Sequence, residues 1–285
     1  MPSLIDIRRR IRSVKSTQQI TKAMKMVSAA KLRRAQDRVM SSRPYAKMLR
    51  EMLANVAAAA PAGDQGVSPL LVEKPERRIQ VILLTSDRGL AGAFNTNLIR
   101  AAQSFANEHS DAVVEFETIG RKGRDYFARR TWKLTGEHIG ILGKPAYSDA
   151  AAIGQKVAQR VINDEVDAVY LIYNEFKSVM SQKLTISKIL PVSAPVQDEP
   201  VDYIYEQPPE QLLATLLPKY IELQVYTAII ETVASEHAAR MTAMDSASTN
   251  AADMIERLTL YMNRVRQASI TREIIEVVSG ASALE

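Results

Sequence analysis

Apolar residues recur at alternating steps of four and three through the last part of this chain. The stripe runs Leu216, Tyr220, Leu223, Thr227, Ile230, Ala234, His237, Met241, Met244, Ser248, Ala251, Ile255, Leu258, Met262, Val265. No glycine occurs between Gly154 and Gly280, and no proline follows Pro218. A sustained 3.5-residue repeat drifts by about 20° per heptad against an ideal helix, so it predicts a left-handed supercoil. At about 1.5 Å per residue, a helix from Lys219 to Ala283 is roughly 100 Å long, wider than a compact domain. Its stripe needs a partner. The other end of the chain offers one: Leu4, Ile7, Ile11 and Val14 open a second seam, and Leu32, Ala35, Val39, Ala46, Leu49, Leu53 and Val56 continue it in frame. Between them the frame reads Gln18, Thr21, Lys25, Ser28, so its middle is polar. This helix runs from about Ser3 to Ala60, with a kink expected at Pro44 and a stop at Pro61, Gly63 and Gly66.

The central pattern changes period. Ile79–Leu84 reads as a buried strand, followed by a turn at Ser86–Gly92 and a helix from Asn95 to Glu108. Strands follow at Val113–Ile119, Ala168–Tyr173 and Lys183–Leu190. Between them lie a short helix from Gly120 through Arg130 and a longer one from Tyr147 to Asn163, whose inward face is Ala150, Ile153, Val157 and Val161. Such alternation predicts an α/β layer on a mostly parallel sheet. The expected fold is therefore a long antiparallel coiled coil of the two terminal helices with an inserted Rossmann-like α/β domain. The expected divisions are a helix over 1–60, an α/β domain over 75–205 and a helix over 208–285. The C-terminal stripe slips by one position after Val265, to Ile270, Ile274, Val277 and Ala281, so the final turns are expected to stand alone in an apolar collar.

Charge sharpens this picture. Residues 1–50 carry 14 Lys and Arg against Asp6 and Asp37, whereas the other 235 residues carry 23 against 30 Asp and Glu. The first helix should seek an acidic partner, and nucleic acid, an anionic membrane or an acidic protein surface all qualify. A basic coiled-coil adaptor for nucleic acid or membrane is thus an alternative, although Tyr45 is the one aromatic in residues 1–50 that could stack on a base. There are no cysteines, which excludes disulfides and thiolate chemistry and fits a reducing compartment. The Arg- and Ser-containing start has the composition of a transit peptide, but the seam runs through it unbroken. No apolar run approaches the length of a membrane span.

Catalytic constellations are not expected. The turn at 86–92 lacks both G-x-G-x-x-G and G-x-x-x-x-G-K-[ST] spacing, so Gly89 and Gly92 are read as structural turn residues, braced by Asp87 and Arg88. His109, His138 and His237 are scattered, and His237 lies on the seam. No metal cluster and no nucleophile–base pair is apparent.

Four segments resemble the γ subunit of F-type ATP synthase. They are IRSVKSTQQITKAMKMVSAAKLRRAQ (11–36), SDRGLAGAFN (86–95), SEHAARMTAMDSASTNA (235–251) and ITREIIEVVSGASA (270–283). Ala91 and Ala93 stand where that family's turn usually has Cys and Gly, and no cysteine-bearing redox insertion is present. The resemblance implies a central rotor shaft that carries torque between a proton-driven c-ring and the catalytic ring of α and β subunits, coupling proton movement to ATP synthesis or hydrolysis. It implies no catalytic residue, no cofactor, and a peripheral place on the cytoplasmic face of the inner membrane. The implied partners are α, β, ε and the c-ring, with no nucleic acid, and with the membrane reached only through the complex. Position by position, Met24, Lys25, Arg240, Gln267, Thr271 and Glu273 match contacts with β. Tyr205 and Glu206 match contacts with the c-ring at the foot.

Overall fold

The computed structural model describes residues 3–59, 68–193 and 207–282, with side chains as far as Ser279. Two helices dominate it, α1 (Leu4–Ala59) and α5 (Pro209–Ser282). Ser3 opens α1 with a reciprocal cap: its hydroxyl accepts from the Asp6 N–H at 3.2 Å and donates to the Asp6 carboxylate at 2.8 Å. Pro44 and Pro218 both lie inside helices, and α5 runs on through Pro218 from its start at Pro209. A proline removes one donor and leaves the carbonyl four residues earlier unpaired. Met40 and Ala214, which carry those carbonyls, are both exposed, so water can serve them.

The chain divides into two compact units, Met1–Ser28 with Met241–Glu285, and Ala29–Arg240. In the first unit the N-terminal part of α1 runs antiparallel to the C-terminal part of α5: Gln18 and Thr21 reach Ser248, while Lys25 reaches Asp245.

The second unit holds the α/β domain with the remaining parts of both helices. Its elements are β1 (Arg78–Leu84), α2 (Phe94–Glu108), β2 (Val113–Ile119), α3 (Arg121–Phe127), β3 (Lys133–His138), α4 (Tyr147–Ile162), β4 (Ala168–Phe176) and β5 (Gln182–Leu190). The five strands lie in the order β3-β2-β1-β4-β5, all parallel except the antiparallel β4–β5 pair. One face of β1, with Ile79, Val81 and Leu83, packs with Leu98, Ala102 and Phe105 of α2. The alternate face carries Gln80, which takes a bond from Arg160 of α4 at 2.7 Å. Helices therefore cover both faces, which is why β1 reads as a nearly continuous apolar run.

β3 is the one strand not expected from sequence. Its residues, Lys-Leu-Thr-Gly-Glu-His, are mostly polar because it is an edge strand, and Gly136 is kept small by Glu117. A Cβ at Gly136 would lie 2.6 Å from the Glu117 carboxylate. That carboxylate is fully buried and takes bonds from Gln80, His138 and Lys156. Burial pushes its pKa up, but the His138 and Lys156 bonds outweigh it and hold the group below the ordinary glutamate value.

A candidate functional site: the glycine turn, the crevice and the shaft face

In an open α/β sheet, ligands enter the crevice at the carboxyl ends of the strands where strand order reverses. Here that switch point lies between β1 and β4, and the turn 86–92 follows β1. Its polar groups are spent internally. Ser86 N–H donates to Asn95 Oδ1 at 2.9 Å, Asn95 Nδ2 returns a bond to Ser86 Oγ at 2.8 Å, and Ser86 Oγ also meets the Arg88 carbonyl. Asp87 takes the Arg121 N–H at 2.9 Å and the Gly140 N–H at 3.1 Å. These bonds hold Leu90 and Gly92 at φ +64° and +57°, a region a leucine rarely adopts. Nearby, Gly120 at φ +103° has no room for a Cβ, which would meet the Thr85 carbonyl oxygen at 2.1 Å.

The crevice itself is filled by α5. Residues 228–236 of this helix are buried all round, where the heptad pattern suggested a single stripe. Three of its polar side chains bond to the main chain at the strand ends. Ser235 Oγ donates to the Asn174 carbonyl at 3.0 Å, and Glu231 accepts the Phe176 N–H at 2.8 Å. Arg240 Nη2 and Nε both point at the Gly89 carbonyl, at 3.3 and 3.4 Å. From α1, Arg43 donates to the Phe176 carbonyl at 2.9 Å and to Glu231 at 3.1 Å.

The electrostatics follow from burial. Arg240 also binds Glu236 at 2.6 Å. Burial raises the Glu236 pKa, and Asp87 adds to the rise against the pull of Arg240 and Lys31. Burial lowers the His237 pKa to about 4, with Arg240 and Lys31 adding to the effect. None of this arranges a base beside a nucleophile, and among the described residues no group of three or more His, Cys, Asp or Glu could hold a metal ion.

In the first unit the seam is polar and small-sided. The Thr21 and Ser248 hydroxyls meet at 2.6 Å in a buried pair, and Gln18 Nε2 donates to the Ser248 carbonyl at 3.4 Å. Lys25 pairs with Asp245 at 2.6 Å on the exposed flank. Farther along α5, Met262 and Val265 are half-buried, but residues 271–279 are all exposed, including Ile274, Ile275, Val277 and Val278.

The sequence profile of the family described as ATP synthase matches residues 3–284. The chain is 64% identical over its whole length, and that of its relative, to the ATP synthase gamma chain of Solibacter usitatus (strain Ellin6076). The chain belongs to the ATP synthase gamma-chain family. It is also 50% identical, again over both full lengths, to the gamma chain of Anaeromyxobacter sp. (strain Fw109-5). A chain in the central stalk and c-ring structure of Tetrahymena thermophila mitochondrial ATP synthase superposes with a TM-score of 0.62 at 26% identity, covering 80% of this chain and 99% of that one. A chain of the Euglena gracilis mitochondrial ATP synthase shares the fold, with a TM-score of 0.71 at 19% identity over 99% of this chain and 94% of that one.

As a gamma-chain family member, the protein distributes its expected contact residues unevenly. Met24 is half-buried beside the polar seam, and Lys25 is engaged with Asp245. Gln267, Thr271 and Glu273 are exposed, the last accepting a bond from Ser269 at 3.2 Å. Arg240 is turned inward, with its side chain 10% exposed. Gly89 and Gly92 both sit in the braced turn. Tyr205 and Glu206 lie outside the described residues. Arg43, Glu231 and Ser235 were not anticipated. The available signal was Glu231 itself, a charged residue set between Ile229, Ile230 and Val233 in an otherwise apolar stretch.

Proposed function

We propose that this chain, a rotor subunit of the F1 central stalk, carries torque without catalysing. Its partners are the α and β subunits, ε and the c-ring. Turning with the c-ring, it drives the catalytic subunits through their states from the cytoplasmic face of the inner membrane. The observation that supports this most is the end of α5, where isoleucines and valines stay exposed for nearly three turns. Such a surface calls for a cover, and a surrounding ring supplies one. Membrane attachment is through the complex; among the described residues no helix is long and apolar enough to cross a membrane. Met24, Lys25, Gln267, Thr271 and Glu273 are the proposed contacts with β, and Tyr205 and Glu206 those with the c-ring. The basic-adaptor reading of residues 1–50 has no support from the family match, and an acidic surface on β accounts for the same charge.

A tether tests the rotor. The chain has no cysteine, so it adds no background thiols. One cysteine replaces Gln267 and, separately, one replaces Tyr205. Each is paired with a cysteine on β or on c, placed within a Cα separation of about 4.4–6.8 Å. Oxidation should stop ATP-driven proton pumping for the first pair, reversibly on reduction, and leave the second pair active. The inverse pattern overturns the reading.

A further inference from the structure

The place where an open α/β sheet normally takes its ligand is used here to grip two helices. The grip at the end of β4 has an unusual form. Phe176 is the last residue of that strand. Its N–H goes to Glu231 of α5 at 2.8 Å, and its carbonyl accepts from Arg43 of α1 at 2.9 Å. Arg43 and Glu231 close the ring with bonds of 3.1 and 3.4 Å. Both main-chain groups of one residue are therefore held by side chains from two different helices. Glu231 is only 4% exposed, and taking its charge out of water is a cost that an apolar residue of similar size would avoid. Apolar contact is non-directional and lets surfaces slide, whereas a hydrogen bond loses strength steeply once its angle opens. A charged ring around a strand end is thus poor value for stability alone but well suited to resist shear.

We propose that Arg43 and Glu231 are positioning residues for torque transfer: through the main chain of Phe176 they lock the α/β domain to both helices, so that rotation of the domain is passed to the shaft without slip. Arg240 does the same at the other side of the crevice, through the Gly89 carbonyl. This inference rests on the rotor reading above.

The test uses inverted membrane vesicles carrying the whole complex and reads two quantities, ATP hydrolysed and protons pumped. Glu231→Leu removes both bonds, Glu231→Gln keeps an acceptor for the Phe176 N–H, and Arg43→Gln removes the cross-helix arm. Protons pumped per ATP should fall at least threefold in Glu231→Leu and Arg43→Gln, with Glu231→Gln between them and wild type. In the purified full chain, exchange of the Phe176 amide should rise at least tenfold in Glu231→Leu. If Glu231→Leu fails to assemble, Arg43→Gln decides, since the Arg43 side chain is 41% exposed and tolerates replacement. An unchanged pumping ratio in assembled variants overturns the proposal, including the case where amide exchange rises, because the ring is then only a packing contact. In that case the Gln267 tether would still block turnover, so failure of the grip and failure of the rotor reading are separate outcomes.

Discussion

Between residues 32 and 56 the seam of α1 is Leu32, Ala35, Val39, Ala46, Leu49, Leu53 and Val56, all buried except the half-buried Ala46. Between residues 18 and 28 the same frame places Gln18, Thr21, Lys25 and Ser28, and there the buried pairing is of two hydroxyls. The two stretches share a repeat and differ in chemistry. Each large apolar side chain in the first contributes about 1.5–3 kcal/mol by burial. A hydroxyl pair in the second contributes about 1 kcal/mol net, because water competes for both partners. A repeat sets which residues face inward; the residue types set how firmly they hold. One stretch is written for grip, the other for a defined register at low adhesion, which suits a shaft that must turn inside a sleeve.

The comparison breaks most readily in the apolar stretch. Leu53→Ala, at a fully buried position, should cost about 2–5 kcal/mol in denaturant unfolding of the full chain, whereas Val14→Ala, half-buried in the first unit, should cost clearly less. Equal losses would remove the distinction.

A pH effect comes next. His237 has a folded pKa of about 4 against an ordinary 6.5. The unfolded chain therefore takes up a proton before the folded one does, and stability is lost as pH falls from about 6.5 towards 4. Glu236 acts in the opposite sense, since its raised pKa favours the protonated folded form. Unfolding curves for His237→Asn should be flatter than wild type over that window; parallel curves would refute the assignment.

In the polar stretch, Ser248→Ala should cost about 0.5–1.5 kcal/mol, and adding Thr21→Val should recover part of it, since replacing both partners spares the orphaned hydroxyl. A double-mutant cycle on thermal unfolding reads this, and strict additivity would count against a coupled pair. Smallest of all, Lys25→Ala should cost under about 1 kcal/mol and less at high salt, because the Lys25–Asp245 pair is exposed on both sides.

Much of the fold was legible in the sequence for one reason: periodicity reports which side of an element is buried. Both seams fell in the expected frame, with Ile7, Leu32, Val39 and Leu53 of α1 and Leu223, Ile230, Met244 and Ala251 of α5 all buried. Four of the five strands were visible, β1 and the first part of β4 as apolar runs buried in the sheet and β5 by the alternation along its length. β3 escaped because, unlike the other edge strand β5, it carries only Leu134 as a large apolar residue. The grip on Phe176 escaped for a different reason. Arg43, Phe176 and Glu231 are brought together by topology alone, and two of the four bonds go to main-chain atoms that have no sequence signature.

The filled crevice also divides the domain into an end that can be edited and an end that cannot. Turns at the carboxyl ends of β1 and β4, residues 85–93 and 177–181, meet or adjoin the helices, so extra residues there would pry the sheet from its seat. The opposite end is unencumbered by that grip: residues 107 and 108 at the end of α2, and 110 and 111 between α2 and β2, are exposed. A peptide tag or a small reporter domain spliced after Glu108 should leave the fold intact, because exposed turns of this kind accept insertions readily. A fluorophore or bead could then be carried on the α/β domain without touching either helix.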